Sequence, residues 1–370
     1  MGIFLPGCLS FWVNPGSFPP PPPLARQKSF LNFTGLLLRH LMKKNIALVA
    51  GGYSGEYVIS VQSAVTIENN LDSSKYAVYK VIITRESWSY TAPDGAVYEI
   101  DKNDFSLTIN GNKIKFDAVF IGIHGTPGED GRLQGYFEML GIPYTSCGMV
   151  TSAITFNKSY CNKIVAALDV VNVSKSIHIF RDQPYDTADI LAKLRLPLFV
   201  KPAEGGSSIG MSKVKTAEEL QPAIDKAFKE DSQVLIEEFV KGRELTIGMY
   251  QAGGKLNVLP ITEVVSSKEF FDYEAKYTPG VSNEITPAPV PAEITSLVQQ
   301  TAAKLYHLLN CRGIVRIDFI WDDTNNKLFF LEANTMPGQS ENSLVPQQVR
   351  AAGKTLQEFY GAVLEEAMAK

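Results

Sequence analysis

The sequence predicts an α/β protein in which a βαβ parallel-sheet domain precedes α+β modules. Three observations carry that prediction. After Lys44, short apolar runs alternate with stretches of helical periodicity, the order that builds a parallel sheet. Beyond Thr151 the order changes to helix, strand, loop, strand, helix, which reads as an α+β module. A chain of 370 residues also exceeds the size of one hydrophobic core, so two or three packed domains are expected.

The elements follow in chain order. Residues 19–23 are an unbroken proline run, which forms a stiff extended helix and cannot join a core. Residues 1–9 lack the cationic region of a signal peptide, and the apolar stretch 36–41 is short and interrupted by Arg39 and His40. Residues 1–41 are therefore read as a non-native or disordered leader, with Met42-Lys43-Lys44 opening a cytosolic protein. No segment is long enough to span a bilayer. A strand over 46–50 runs into Gly51-Gly52, a helix follows over 60–70, and a second strand covers 76–83. A buried strand over 117–123 ends at His124-Gly125 and leads to a helix over 131–140. Both glycine-bearing turns fall at the carboxyl ends of strands, where parallel sheets carry their functional loops.

The next module has a helix over 154–168, a strand ending at Lys201-Pro202, a glycine-serine loop, a further strand and an amphipathic helix over 217–228. A third unit begins near Leu235, with strands over 235–239, 245–250 and 256–261 and a helix over 294–309. A hairpin over 314–333 and a terminal helix complete it. The loop over 266–289 is rich in charge and carries Phe270, Phe271, Tyr273 and Tyr277, the composition of a lid. Domain boundaries are expected at 42–146, 147–234 and 235–370.

Composition narrows the function. With 45% hydrophobic residues, 20% charged residues and a net charge of -4, nothing suggests nucleic acid or an anionic membrane as a partner. A phosphate-bearing ligand would have to be held by local cations. Cys8, Cys147, Cys161 and Cys311 are widely spaced and form no Cys-x-x-Cys pair, which argues against zinc or a disulfide framework and suits a reducing cytoplasm.

Three segments carry chemistry. In the hairpin, strand alternation puts Arg316 and Asp318 on one face and Glu332 and Asn334 on one face of the partner. Centring the turn on Asn325 sets Asp318 opposite Glu332 and Arg316 opposite Asn334. Carboxylates facing each other across a ladder repel unless a cation lies between them, and such oxygen ligands suit magnesium beside nucleotide phosphates. A solvated polar face is the alternative; the opposite face, with Phe319, Trp321, Phe329 and Leu331, is expected to be buried. The loop after Lys201, Gly205-Gly206-Ser207-Ser208-Ile209-Gly210, can lay backbone N–H groups on an anion, with Lys201 and Lys158 as nearby cations. A plain turn and a surface lysine are the alternatives. The apolar strand ending in Glu237-Glu238 can supply an adenine slot with edge hydrogen bonds, and Glu244 can accept from ribose hydroxyls; solvated edge charge fits the spacing equally well.

Taken together these segments resemble the ATP-grasp fold and, within it, the D-alanine–D-alanine ligase family. The likeness runs from Asn45 to Arg350 through separated motifs in order: Gly51-Gly52-Tyr53-Ser54-Gly55-Glu56, His124-Gly125 with Gly128-Glu129-Asp130-Gly131, and Gly206-Ser207-Ser208-Ile209-Gly210-Met211. Glu274-Ala275-Lys276-Tyr277, Arg316-Ile317-Asp318-Phe319, and Leu331-Glu332-Ala333-Asn334 through Gly338 and Ser343-Leu344 complete the series. The resemblance implies an N-terminal substrate domain, a central ATP-grasp lid domain and a C-terminal ATP-grasp catalytic domain. It implies that Lys158, Lys201, Glu237 and Glu244 hold ATP, and that Asp318, Glu332 and Asn334 hold two Mg2+ ions, for which Mn2+ can substitute. Glu56 would bind the first D-alanine's ammonium with His124 close by, and Ser207 and Tyr277 would link to Glu56. Lys276 would meet the transferred phosphate, Arg316 and the Gly338 N–H would stabilise an oxyanion, and Ser343 and Leu344 would receive the second D-alanine's carboxylate. A cytoplasmic homodimer making a peptidoglycan precursor is the implied setting. Tyr57 and Gly205 depart from the family pattern, and residues 1–41 have no family counterpart.

Overall fold

The computed structural model describes residues 43–206, 209–266 and 282–369, and residues 44–370 form one compact unit. Its first sheet is built around β1 (Lys44–Gly51), whose apolar run is buried as in parallel sheets covered on both faces. Helix α1 (Tyr57–Asn70) crosses over to β2 (Tyr76–Ile83), which pairs in parallel with β1. Strands β3 (Trp88–Thr91), β4 (Val97–Asp101), β5 (Ser106–Ile109) and β6 (Asn112–Ile114) then extend that edge as an antiparallel meander. The chain returns to β7 (Ala118–Ile121), parallel on the other side of β1, and continues into α2 (Arg132–Leu140).

The expected βαβ frame is therefore β1, β2 and β7, to which the sequence reading added no meander. Strands of three to five residues are too short to display a period. Because β2 and β7 flank β1, their connections leave it in opposite directions. Gly51-Gly52 and His124-Gly125 thus border the crevice at a topological switch point, where open α/β sheets bind ligands.

The single helix expected over 154–168 is two helices, α3 (Met149–Phe156) and α4 (Lys158–Ala167). Asn157 separates them: its backbone is extended, and its side chain accepts from the Tyr160 N–H at 3.1 Å as an N-cap. Lys158 is consequently the first residue of α4. Strand β8 (Asn172–Val173) joins the third sheet, and β9 (Ser176–Phe180) leads through α5 (Thr187–Lys193) to β10 (Leu198–Pro202) and β11 (Ser212–Val214). A 3-10 turn at Ala217–Glu219 and α6 (Leu220–Glu230) precede β12 (Gln233–Glu238). The second sheet has the order β11-β10-β12-β9, all antiparallel, and α6 buries Leu220, Ala223, Ile224 and Ala227 against it. The strand expected to open the third unit at Leu235 belongs here instead, because Val234 and Ile236 complete the core beneath α6.

The third sheet holds β13 (Arg243–Ala252), β14 (Lys255–Val258), β15 (Thr262–Ser266), β16 (Ser282–Ile285), β17 (Ile314–Asp322) and β18 (Lys327–Asn334). Its order is β16-β15-β13-β17-β18-β8, with β14 also on β13. Helix α7 (Ala292–Leu308) and α4 share a core with Leu245, Ile247, Val315, Ile317 and Phe319. Of the helices expected in the central module, α4, from the stretch 154–168, therefore packs on this sheet, while α6 stays with the second. Helices α8 (Leu344–Ala351) and α9 (Leu356–Met368) share a different core, in which Val345, Phe359 and Tyr360 meet Tyr250 of β13 and Ile46 and Leu48 of β1. Strand β16 lies inside the loop expected over 266–289; the aromatic residues of that loop, Lys276, Ser207 and the leader 1–41 lie outside the described residues.

Candidate active site

A cavity of about 1390 Å3 is lined by strands of the second and third sheets and by loops and a helix of the first sheet's domain, and every sequence-predicted site residue that falls among the described residues lines it. Ser207, Lys276 and Tyr277 lie outside them.

Glu56 stands just before α1, where three loops meet. A methyl group at Gly206 would lie 2.5 Å from its Oε1, and one at Gly125 would lie 3.1 Å from its Oε2. Glycine lets the loop after β10 close onto that carboxylate in its present position; a larger residue would make the Glu56 side chain shift. His124 is buried beside it. The Nδ1 of its ring is 2.8 Å from the Met336 carbonyl, and its Nε2 is 2.9 Å from Ser63 Oγ. Burial pulls the imidazole pKa below its ordinary value and Arg316 adds to that, against opposing pulls from Glu56 and the Met336 carbonyl.

A second wall carries the cations. The backbone N–H of Lys158 donates to Ala203 O at 2.8 Å and its Nζ to Gly205 O at 2.5 Å, so α4 begins against the glycine-rich loop. Lys201 and Glu237 form an ion pair at 2.6 Å in which both side chains are more than nine-tenths buried. Glu238 pairs with Arg195 at 3.0 Å. Both adjacent carboxylates line the cavity, Glu237 nearly fully buried against Lys201 and Glu238 with its side chain 14% exposed against Arg195. Phe199, Ile320, Phe329 and Leu331 give this end of the cavity an apolar lining.

The hairpin reaches the expected register by an unexpected route. Arg316 pairs with Asn334 and Asp318 with Glu332, but Asp322 pairs with Lys327 and Phe319 with Phe330. The turn is centred between Thr324 and Asn325, fixed by Asp322 Oδ1, which accepts from the N–H groups of both. Continued regularly, that register would set Asp318 opposite Leu331. A bulge between Asp318 and Phe319 absorbs Leu331 as the extra residue and restores Glu332 to the facing position. The bulge also corrects the face assignment: Phe319, Trp321, Leu328 and Phe330 are buried, while Phe329 and Leu331 line the cavity. Arg316 spans the carboxylate pair, with Nη2 2.7 Å from Asp318 Oδ2 and 3.7 Å from Glu332 Oε1. Burial works against the guanidinium's charge, but Asp318, Glu332 and Glu244 more than offset it and hold its pKa above the ordinary value.

After β18 the chain turns through Gly338 to α8. A Cβ on Gly338 would sit 2.9 Å from Ser343 Oγ, so a larger residue here would make the Ser343 hydroxyl shift. Ser343 is the N-cap of α8 without a side-chain capping bond, and Leu344 is its first residue. The first N–H groups of α8 are thus presented at the cavity, an arrangement suited to a carboxylate. Gln348, fully buried, fastens α8 to the sheet by accepting from Gly248 N at 2.8 Å and donating to Thr246 O at 3.1 Å.

The chain matches the family model described as D-ala D-ala ligase N-terminus over residues 45–147 and that described as D-ala D-ala ligase C-terminus over residues 166–365. It belongs to the D-alanine–D-alanine ligase family. A D-alanine–D-alanine ligase from Parabacteroides distasonis is 47% identical over 325 residues, covering 88% of this chain and 98% of that protein. Among solved structures, the VanG D-Ala:D-Ser ligase from Enterococcus faecalis superposes with a TM-score of 0.78 at 30% identity, covering 88% of this chain and 100% of that one. The D-alanine–D-alanine ligase from Bacillus anthracis complexed with ATP superposes with a TM-score of 0.71 at 29% identity, covering 89% and 98%.

The ligase also places in the cavity residues to which sequence reasoning gave no role. Glu129, quoted only as part of a motif, accepts from the Gly125 N–H at 3.0 Å, and burial first and Glu56 second push its carboxyl up to about 8. Thr246 donates its hydroxyl to Asp318 and so fixes that carboxylate from the neighbouring strand. Glu284 on β16 accepts from Gln347 Nε2 at 2.5 Å, and burial raises its pKa. Thr246 and Glu284 had no sequence signal beyond residue type, because their roles depend on which strands become neighbours, and for Glu129 the motif carried no role. Among the described residues no helix is long and apolar enough to cross a membrane.

Proposed function

We propose that this ligase joins two D-alanine molecules into D-alanyl-D-alanine at the expense of ATP, through an acyl phosphate, in the cytoplasm. The observation that supports it most is the gathering of fixed cations, paired carboxylates and a helix N-terminus around one cavity. ATP lies with its base among Phe199, Ile320, Phe329 and Leu331, its ribose toward Glu244 and its phosphates toward Lys158 and Lys201. Glu56 takes the first substrate's ammonium, and Ser343 with the N-terminus of α8 takes the second substrate's carboxylate. The domain division at 42–146, 147–234 and 235–370 and a homodimeric state belong to the same reading.

The donor set fits a divalent cation: Asp318 and Glu332 stand opposite each other with Arg316 spanning them, and Asn334 adds an amide oxygen to hard carboxylate oxygens. Bound there, two Mg2+ ions would neutralise charge on the phosphates during transfer. The remaining work falls to the chain. Arg316 and the Gly338 N–H stabilise the oxyanion formed when the second amine attacks the acyl carbon, and phosphate then leaves. Lys276 accompanies the transferred phosphoryl group, and Ser207 and Tyr277 tie the lid to Glu56. An acyl phosphate hydrolyses in water, so a lid must close before transfer, and the loop over 266–289 is its candidate.

The deciding experiment is ATP-dependent phosphate release with D-alanine, other D-amino acids, D-lactate and the twenty L-amino acids, with products identified by mass. D-alanine-dependent release with dipeptide formation is expected. Release with D-alanine no greater than background, or a D-alanyl-D-serine product favoured over the D-alanine dipeptide, would overturn the assignment.

A further inference from the structure

Gly338 lies in a turn that two residues of the first sheet's domain hold from outside. The Met336 carbonyl lies two residues before it and the Gln339 N–H one residue after it. Met336 O is 2.8 Å from His124 Nδ1, and Gln339 N donates to Ser63 Oγ at 3.1 Å. Ser63 Oγ is in turn 2.9 Å from His124 Nε2, so the two contacts close into one network across Gly338. Both Ser63 and His124 are buried, and Ser63 is fully so.

The protons in this network are determined by its ends. A carbonyl only accepts, so Nδ1 of His124 carries a hydrogen; an amide N–H only donates, so Ser63 Oγ accepts from Gln339. The Ser63 hydroxyl hydrogen is then directed at Nε2, which accepts as the unprotonated nitrogen of a neutral ring. Every donor meets one acceptor in this arrangement alone. The other bonds on the turn come from within the C-terminal part: Met336 N donates to Asn334 Oδ1 at 3.1 Å and Gln339 Nε2 to Pro337 O at 2.9 Å. These, with the Tyr360 hydroxyl donating to Gln339 O at 3.4 Å, set its local shape; its position relative to the Glu56 side of the cavity is held by the Met336 side chain buried in the first sheet's core and by the polar contacts of Ser63 and His124.

We propose that Ser63 is a positioning residue for the ligation step, holding the Gly338 amide in place through Gln339 and through the Nδ1–H tautomer of His124. The proposal rests on the oxyanion role assigned above to the Gly338 N–H. It also changes the part played by His124: with both ring nitrogens committed, the imidazole acts on the turn and not as a direct ligand of substrate.

The test combines kinetics with the ring's protonation signature. In 15N-histidine-labelled full-length protein, the His124 resonance, assigned by its loss in His124→Asn, should show a neutral ring protonated at Nδ1 near neutral pH. Ser63→Ala should lower kcat by about tenfold to a hundredfold, the scale for a displaced oxyanion donor, with KM for ATP within about twofold of wild type. Ser63→Thr keeps the hydroxyl and should recover most of kcat. A wild-type ring protonated at Nε2, which needs no variant to fold, would overturn the proposal. So would a Ser63→Ala enzyme with wild-type kcat, or a loss expressed wholly in KM for ATP. Failure of the underlying reaction is a separate result: wild-type protein without D-alanine-dependent phosphate release.

Discussion

Glu129→Gln is expected to make the protein more stable at alkaline pH and to change little at acidic pH, in the absence of nucleotide, metal and amino acid. The carboxyl is raised from the ordinary 4.5 to about 8, by burial first and Glu56 second. A raised carboxyl holds its proton more tightly in the folded state than in the unfolded chain. Between those two values the folded state therefore binds more protons, and unfolding free energy falls as pH rises; below about 4.5 and above about 8 the contribution is flat. A displacement of that size in a dry site corresponds to nearly 5 kcal/mol at about 1.4 kcal/mol for each pH unit. Glu129 lines an open cavity and keeps partial exposure, so solvent screening reduces the expected gain to about 2 kcal/mol. Glutamine keeps an oxygen for the Gly125 N–H at 3.0 Å and removes only the titration. Urea unfolding followed by circular dichroism at intervals from about pH 5 to 8.5 measures it. The difference between variant and wild type should grow up to about pH 8 and then level off. Parallel curves, or a variant that loses stability as pH rises, would refute the reasoning.

Other perturbations separate structural from chemical roles. Glu332→Gln should abolish most turnover, while stability without metal changes by no more than about 1 kcal/mol. The facing carboxylates already have Arg316 spanning them, so relief of repulsion is small; phosphate release and thermal melting measure the two effects. Lys201→Met leaves Glu237 buried without its 2.6 Å partner and should cost roughly 3–5 kcal/mol, whereas Lys201→Met with Glu237→Leu should recover stability without recovering nucleotide binding by calorimetry. Tyr277→Phe unpairs its polar partners at a cost of roughly 1 to 3 kcal/mol if the lid buries them. It should raise the yield of ester over amide when D-lactate competes with D-alanine, most visibly at mildly acidic pH where the free amine is scarce; an unchanged product ratio reduces Tyr277 to an aromatic anchor.

The legible parts of the fold were those with long single-minded patterns. The run of β1, the exact span of β2 and the amphipathic α6 each state their environment in their own residues. What escaped was decided by neighbours. The meander of β3 to β6 has strands too short to show alternation, and the break at Asn157 lies within a stretch whose apolar residues continue on either side. Strand β12 is apolar enough for either adjoining sheet, and only its pairing with β10 and β9 assigns it.

The hairpin shows how the candidate site could be read at its charged end and misread beside it. Facing positions for Asp318 and Glu332 were inferred from a regular ladder with a turn centred on Asn325, but the ladder is neither regular nor centred there. The tighter turn around Asp322 and the bulge at Leu331 displace the register by one residue in opposite senses, so their effects cancel at Arg316, Asp318, Glu332 and Asn334 and survive at Phe329. A one-residue slip exchanges the two faces of a strand. Alternation alone therefore assigned Phe329 and Leu331 to the core, although both line the cavity. The bulge thus does two things at once: it keeps the carboxylates opposed and turns two apolar side chains toward the space proposed for adenine. Removing Leu331 would make the ladder regular with Phe330 still opposite Phe319 and Glu332 still opposite Asp318, so the acidic pair would stay opposed and the loss would fall on the apolar lining that Leu331 adds to the cavity.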